Sequence, residues 1–283
     1  GWEEWSLLRR EVTVGDSRFD LLLHKGKELF YLEVKSCTLF GKSGAMFPDA
    51  VTERGRKHIA ELAAMHDDGY HTGVLFLVHW DRARWFLPDY HTDTDFAATF
   101  MECAPKLDWK AFSLRWTAEF SQPEPVRLLS YPEEVLRREN HDCGDYMLVM
   151  YLPEGRDIEV GAKGSISFLQ GYYVYVGSAK KNLASRLARH TRKRKKMHWH
   201  IDYLRRYAGV TAVLPVRTAD DLEHKLAAAV GAISHWQIQD FGCTDCSCPS
   251  HLFGFHDNPI HRRDFMQLVE DFRMNRLESL IGL

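Results

Sequence analysis

The sequence has 283 residues, of which 45% are hydrophobic, and its net charge is about −2. This length can bury one large core or two ordinary ones. No apolar run reaches the roughly 18 residues that a membrane-spanning helix needs. The six cysteines are too few and too unevenly spread for a disulfide framework, so we expect a cytoplasmic protein. The net charge alone does not indicate a nucleic-acid-binding protein.

Two apolar segments near the N-terminus, residues 18–24 and 29–35, have the composition of β-strands. Gly26 and the lysine after it suit a two-residue hairpin turn. That turn would pair Lys25 with Glu28 and so fix the register of the two strands. The pattern therefore predicts an antiparallel hairpin.

This register places Asp20 directly opposite Glu33 and puts Lys35 on the same face, because side chains alternate along a strand. Opposed carboxylates destabilise a sheet, so the arrangement indicates a site for a divalent cation such as Mg²⁺ or Mn²⁺. A lysine beside it could stabilise charge that develops on phosphorus. The alternative is a solvated hairpin face with a cross-strand ion pair. A one-residue shift of register would also separate the two acids.

The rest of the first half predicts a loop over 40–48, a helix over 49–66 and a strand over 72–79. Strands that alternate with a helix indicate an α/β organisation. In this helix Val51, with three later apolar residues, would form the buried face, and His58 would lie on another face.

A polar, proline-containing stretch separates two halves of the sequence. It predicts a first domain over 1–125, a linker over 126–140 and a second domain over 141–283. The fold class is thus α/β (α+β), with a mixed-sheet domain followed by a small α/β domain.

The second half opens with a predicted strand from Gly144, a hairpin over 158–169 and a strand over 171–179. Helical composition follows at 183–190 and again at 219–230, where acidic residues begin the helix as its dipole prefers.

A basic segment with interleaved histidines begins in the last turn of the first of these two helices. It is dense enough to form a DNA phosphate track, although most charge runs are solvated surfaces. The two last histidines could also be structural or transfer protons. The residues are Arg189, His190, Arg192, Lys193, Arg194, Lys195, Lys196, His198 and His200.

Three cysteines and a histidine lie close together near the end of the second half. Cys243, Cys246, Cys248 and His251 could complete a four-ligand zinc site. The tight spacing and the lack of a second cysteine pair favour the alternative, which is a set of buried reduced cysteines.

Residues 17–58 resemble the sugar fermentation stimulation protein A family. The resemblance depends on Asp20, on Glu-Val-Lys at 33–35 and on Phe-Pro-Asp-Ala-Val-Thr at 47–52, and it extends over about residues 1–120. It implies a PD-(D/E)XK, restriction-endonuclease-like domain that binds DNA and has its motif residues at Asp20, Glu33 and Lys35. The family's N-terminal OB-like domain has no counterpart ahead of this segment. We therefore expect its contacts to be missing, with Glu11 either a further acidic contributor or a surface residue.

Residues from about 140 to 255 resemble a GIY-YIG-like domain that also occurs fused to endonuclease III-type repair enzymes. The resemblance implies that Tyr146 and Tyr175 handle the nucleophile and its proton, that Arg186 clamps a phosphate and that Glu223 holds Mg²⁺. This sequence departs from the pattern, because Asp145 replaces the isoleucine and the gap between the tyrosine motifs is long. The alternative for both tyrosines is a half-buried structural role in strands.

Together these observations predict a metal-dependent DNA nuclease with two nuclease-type domains. The alternative is a non-catalytic DNA-binding or regulatory protein built on degenerate nuclease folds. The departures in the second half and the basic segment support that alternative.

Overall fold

The computed structural model describes residues 2–117, 127–193, 196–243 and 246–282. The chain divides into two compact units, Gly1–Arg137 with Leu277–Leu283, and Arg138–Arg276. The predicted domain boundaries at residues 125 and 141 stay a prediction, and the first residue of the predicted linker, 126, lies outside the described residues.

The first unit combines strands with two longer helices. In chain order its elements are β1 (Ser6–Val14), β2 (Ser17–Lys25), β3 (Glu28–Cys37), β4 (Leu39–Phe40), β5 (Gly44–Phe47), α1 (Glu53–Asp67), β6 (His71–Val78), β7 (Trp85–Pro88), α2 (Thr94–Cys103), β8 (Asp108–Ser113) and β9 (Arg127–Leu128).

A mixed sheet in the order β1-β2-β3-β6-β8-β9 forms the centre of the first unit. β3, β6 and β8 run parallel, whereas β1, β2 and β3 form an antiparallel meander. The predicted mixed α/β fold is thereby confirmed. The prediction of a loop over 40–48 is wrong for residue 40 and for 44–47, because β4 ends at residue 40 and pairs with β5, which also pairs with β7 in a second, small sheet.

Helix α1 begins later than predicted and presents a different face to the core. Thr52 caps it by accepting a hydrogen bond from the Gly55 N–H at 3.0 Å. A β-carbon at Gly55 would lie 2.8 Å from the Thr52 methyl group, so glycine makes room for the cap. Val51 precedes the helix and is 68% exposed, whereas His58 is 3% exposed. The predicted faces were therefore wrong for both Val51 and His58.

The second unit is also α/β, and α3 contains the boundary between the units. The remaining elements are α3 (Glu133–Glu139), β10 (Gly144–Leu152), β11 (Arg156–Glu159), β12 (Ser165–Phe168), β13 (Gly171–Ala179), α4 (Leu183–Thr191), α5 (His200–Leu204), β14 (Gly209–Arg217), α6 (Glu223–Ile233), β15 (Trp236–Gln237), β16 (Leu252–Phe255), α7 (Arg263–Arg273) and, in the first unit, α8 (Glu278–Ile281).

An antiparallel sheet in the order β14-β10-β13-β16-β15 organises the second unit. Both faces of β10 are buried. Tyr146 and Leu148 pack on the α4 and α5 side, and Met147 and Val149 pack on the α6 and α7 side. Helices therefore cover both faces of this sheet. Side chains from α4 on one face and from α6 on the other both contact Ser178, near the end of β13. None of the described helices has both the length and the apolarity to cross a membrane.

Candidate active sites

A buried carboxylate on β3 is the centre of the first candidate site. Glu33 is 3% exposed, and its Oε1 accepts a hydrogen bond from Lys35 Nζ at 2.6 Å. The same oxygen lies 2.6 Å from Nδ1 of His58 on α1. Glu33 Oε2 is buried and has no hydrogen-bond partner among the described residues. Because a buried carboxylate needs partners for its full charge, an oxygen without one is a candidate ligand for a cation.

Asp20 lies on the neighbouring strand, where the regular pairing of β2 with β3 ends. The predicted pair Lys25–Glu28 is present, and the ladder continues to Leu21–Leu32. One residue further, the carboxylate of Asp20 accepts the backbone N–H of Val34 at 2.8 Å. If the register continues, Asp20 lies opposite Glu33, as the sequence predicted. The Val34 N–H, however, is bonded to the Asp20 side chain and not to a backbone carbonyl of β2.

The backbone of β1 is irregular opposite Asp20. Glu11, which falls between two paired positions of β1, has a φ of +52°, a left-handed conformation that is uncommon for glutamate. Its side chain is 66% exposed and lies 3.6 Å from Arg18. The structure thus places Glu11 in a surface ion pair.

These residues fit a divalent cation. The exposed Asp20 and the unpartnered Oε2 of Glu33 offer hard oxygen ligands from adjacent strands, which Mg²⁺ and Mn²⁺ prefer. His58 was missed as a member of this site. The buried residues of α1 include 55, 58, 59 and 62, which follow the period of one helix face. This spacing could have placed His58 on the buried face.

The second candidate site begins with a tyrosine packed on a glycine. Tyr146 on β10 pairs with Gly177 on β13, and a β-carbon at Gly177 would lie 2.5 Å from the Tyr146 hydroxyl. The glycine therefore lets the ring lie against the neighbouring strand. The ring of Tyr175 follows at 6.3 Å between centroids. Burial raises the pKa of both tyrosines above the ordinary value.

Helix α4 brings a guanidinium and an imidazole to these rings. Arg186 Nη1 donates to the Ser178 carbonyl at 2.6 Å. His190 is 1% exposed, and its Nε2 lies 2.9 Å from the Tyr146 hydroxyl. His190 was predicted to contact DNA on the surface. The structure instead buries it beside Tyr146.

Glu223, the first residue of α6, approaches from the other face of the sheet. The Ser178 hydroxyl donates to its Oε2. His251 Nδ1 lies 3.2 Å from its Oε1, an ion-pair distance without good hydrogen-bond geometry. Burial raises the pKa of this carboxyl, but His251 and Ser178 outweigh burial and hold the pKa below its ordinary value.

One cleft of about 320 Å³ collects the predicted residues of the second unit. Its walls include the four residues that the sequence resemblance named, together with both histidines that flank Trp199. They are Tyr146, Tyr175, Arg186, Glu223, His198 and His200. Glu223 is 23% exposed there. A carboxylate oxygen has two lone pairs, and among the described residues only Ser178 and His251 contact these oxygens, so the carboxylate fits a cation.

The predicted basic track is only partly a free surface. Arg189 forms two hydrogen bonds, at 2.8 and 3.2 Å, with the fully buried Asp202. Arg189 therefore forms a structural ion pair inside the second unit, whereas the sequence had assigned it to DNA contact. Arg192, Lys193 and Lys196 are exposed. The remaining two, Arg194 and Lys195, lie outside the described residues.

Four sulfur and nitrogen ligands meet beside the cleft. One ligand atom from each of His224, Cys246, Cys248 and His251 lies within 4.8 Å of every other. The predicted set contained Cys243 instead of His224, but Cys243 Sγ donates to the Phe241 carbonyl at 3.3 Å and is not in this group. Nothing in the local spacing indicated His224, which the fold supplies from α6.

Two family models match separate parts of the chain. Residues 2–119 match the model described as sugar fermentation stimulation protein RE domain. Residues 145–274 match the one described as domain of unknown function DUF123. The chain joins an SfsA-type domain to a DUF123 domain. The resemblance inferred for each half is thereby confirmed.

Related proteins match in the SfsA-type region. A sugar fermentation stimulation protein homolog of Thermoanaerobacter sp. (strain X514) is 41% identical over 102 residues, which are 36% of this chain and 44% of that protein. The homolog of Methanothermobacter thermautotrophicus is 47% identical over 90 residues, 32% of this chain and 38% of that protein. The chain thus spans less than half the length of these relatives.

A solved structure is also similar. It is SfsA of Pyrococcus furiosus in complex with Ca²⁺, with 28% identity and a TM-score of 0.42, over 46% of this chain and 56% of that chain.

Proposed function

We propose that the chain is a Mg²⁺- or Mn²⁺-dependent nuclease that hydrolyses phosphodiester bonds in DNA, with Asp20, Glu33 and Lys35 as its first active site. The observation that carries this proposal is the buried Glu33 carboxylate. Lys35 and His58 share one of its oxygens, and the other oxygen has no partner among the described residues.

The residues of the first unit have distinct roles in this proposal. Asp20 and Glu33 would hold the cation, which would supply Lewis-acid chemistry for phosphodiester hydrolysis. The Lys35 ammonium stabilises the charge that develops on the phosphate. His58 is a positioning residue, because it holds Glu33 Oε1 from the helix side at 2.6 Å.

The cleft of the second unit is proposed as a second phosphodiester site. Arg186 offers a planar guanidinium for two phosphate oxygens, and one of its nitrogens already bonds the Ser178 carbonyl. Tyr146 and Tyr175 keep their protons at neutral pH because burial raises their pKa, so they act as hydrogen-bond donors. Glu223 is the carboxylate that would hold the cation.

DNA contact is assigned to the exposed basic residues Arg192, Lys193 and Lys196, with Arg194 and Lys195 carried over from the sequence prediction. Phosphate contacts release counterions, so affinity should fall steeply with salt.

The test measures cleavage of single- and double-stranded DNA with each metal. Asp20→Asn keeps an acceptor for the Val34 N–H but removes the charge, and Lys35→Met removes the ammonium. We expect each to lower the rate by about 100-fold or more. Lys27→Met is the matched control, because Lys27 is exposed in the hairpin turn and should cleave at the wild-type rate.

A second pair of variants separates the two sites. Glu223→Gln and Arg186→Ala, made in the Lys35→Met background, should remove any cleavage that remains. Metal-dependent cleavage that is unchanged in Asp20→Asn and Lys35→Met would contradict the first site. Salt-sensitive DNA binding without cleavage in any metal would instead support the non-catalytic alternative.

A further inference from the structure

We propose that the second unit binds one Zn²⁺ ion through His224, Cys246, Cys248 and His251, here called the Cys2His2 cluster. This inference does not rest on the proposed nuclease function. Its basis is the convergence of four soft or borderline ligands from two distant parts of the chain, helix α6 and the segment before β16.

Two sulfur-to-nitrogen distances within the cluster match those of a tetrahedron around zinc. Cys246 Sγ lies 3.4 Å from His251 Nε2, and Cys248 Sγ lies 3.3 Å from His224 Nδ1. With Zn–S near 2.3 Å and Zn–N near 2.0 Å, tetrahedral ligands are separated by about 3.5 Å. These two pairs thus already have the separation of a closed four-coordinate site, and every other pair of ligand atoms lies within 4.8 Å.

The ligand chemistry selects zinc over the hard cations proposed for the carboxylates. Two thiolates neutralise the charge of one divalent ion, and the two imidazoles complete the shell. Mg²⁺ and Mn²⁺ prefer oxygen ligands and would bind such a site poorly. With four protein ligands there is no open position for substrate, so the role of this ion is structural.

His251 connects the Cys2His2 cluster to the cleft. Its Nε2 faces Cys246, while its Nδ1 faces Glu223 Oε1 at 3.2 Å. Zinc on Nε2 would keep the proton on Nδ1, the ring nitrogen nearer the carboxylate, which is the order of groups in carboxylate–histidine–zinc triads. Bound zinc would therefore fix the position of His251 beside Glu223.

The same ion would hold one wall of the cleft in place. Gly242, which lines the cleft, has a φ of +77°, and a β-carbon there would lie 3.1 Å from His251 Cβ and 3.2 Å from Tyr175 Cε2. This close packing depends on the position of the segment that carries the cysteines. Zinc would tie that segment to α6 through His224.

The experiment measures metal in the full chain. Wild-type protein, dialysed exhaustively after purification in the presence of reductant, should contain about one zinc per chain by mass spectrometry of the metal. After removal of zinc, titration with Co²⁺ should produce the visible bands of a tetrahedral site and a thiolate-to-cobalt transition. Neither measurement depends on nuclease activity.

Variants assign the ligands. Cys248→Ser and His224→Ala should each lower zinc affinity by at least about 10-fold, as loss of a ligand exceeds the 10- to 100-fold effect of outer partners. His224 is exposed, so its replacement should leave the circular dichroism spectrum intact. Cys243→Ser is the matched control, since it removes a nearby thiol outside the cluster, and it should keep full zinc content.

Three results would overturn the proposal. The first is wild-type protein that contains no zinc and gives no Co²⁺ spectrum on titration. The second is a loss of zinc in Cys243→Ser equal to that in Cys248→Ser. The third is an intact-mass and peptide analysis that finds Cys246 and Cys248 joined by a disulfide in the freshly purified, metal-free protein.

Discussion

The two units place their polar residues by different physical means. In the first unit, Glu33 is held by charge, because an ammonium and an imidazole share one of its oxygens in a nearly dry environment. In the second unit, Tyr146 is held by shape, because its ring fills the space left by Gly177. The first arrangement should therefore respond to loss of charge, and the second to added volume.

Loss of the Glu33 charge should give the largest effect. In Glu33→Ala, Lys35 and His58, with side chains 14% and 4% exposed, lose their common partner. Breaking a buried ion pair costs about 3–5 kcal/mol, so we expect the free energy of unfolding of the first unit to fall by that amount in urea titrations. Asp95→Ala removes an acid that is 73% exposed beside Arg56 and should cost under about 1 kcal/mol. Equal losses would show that charge at Glu33 has no special importance.

Asp145 tests whether charge matters in the second unit. Burial raises the pKa of this carboxyl to about 7, while the Leu222 N–H that it accepts lowers the pKa. A folded-state pKa above the unfolded value stabilises the fold below about pH 4. That contribution is lost as the pH rises towards 7.

Asp145→Asn keeps the acceptor and removes the titration. Between pH 5 and pH 8 its stability should therefore rise relative to the wild type by up to about 2.5 kcal/mol, at about 1.4 kcal/mol per pH unit. The measurement is the difference in unfolding free energy at the two pH values. A difference that does not change with pH would contradict the buried ionisation.

Added volume at Gly177 should disturb the second unit. Gly177→Ala forces Tyr146 away from β13 and should cost about 1–3 kcal/mol in thermal or chemical unfolding. Gly209→Ala on β14 is the control, because nothing lies within 4 Å of its added methyl group. If both variants are equally stable, packing on Gly177 does not position the tyrosine.

Tyr146→Phe should have the smallest effect on stability. It removes the hydroxyl that lies 2.9 Å from His190 Nε2 and keeps the ring. A buried hydrogen bond contributes about 1 kcal/mol, so we expect a loss of that size. The measurement is the free energy of unfolding in urea, and a variant as stable as the wild type would mean that this hydroxyl does not stabilise the fold.

The first site could be predicted from the sequence to the extent that its geometry is local. A hairpin of two residues fixes which side chains oppose each other, and the pair Lys25–Glu28 confirms that count. The count did not foresee that the Asp20 carboxylate would accept the Val34 N–H in place of a ladder bond. It also missed His58, because a polar residue on a helix is normally assigned to the exposed face.

The second site could not be derived from spacing. Its residues come from β10, β13, α4 and α6, and only the resemblance to a known domain selected Tyr146, Tyr175, Arg186 and Glu223 before the structure was known. His224 shows the limit of motif reading. It lies 22 residues before Cys246 in the sequence, and it joins the cysteines only because α6 packs beside the segment that carries them.

Trp199 gives the second unit an optical consequence. Its indole ring carries the guanidinium groups of Arg186 at 5.0 Å and Arg189 at 4.2 Å. Arg189 is held by two hydrogen bonds to Asp202, whereas Arg186 lines the cleft and has one hydrogen bond to the Ser178 carbonyl, so an anion that enters the cleft would compete for Arg186. A nearby cation shifts the emission wavelength of an indole. Displacement of Arg186 from the Trp199 ring would therefore change that wavelength. The fluorescence of Trp199, obtained by difference from Trp199→Phe, would therefore report occupancy of the cleft without any added label.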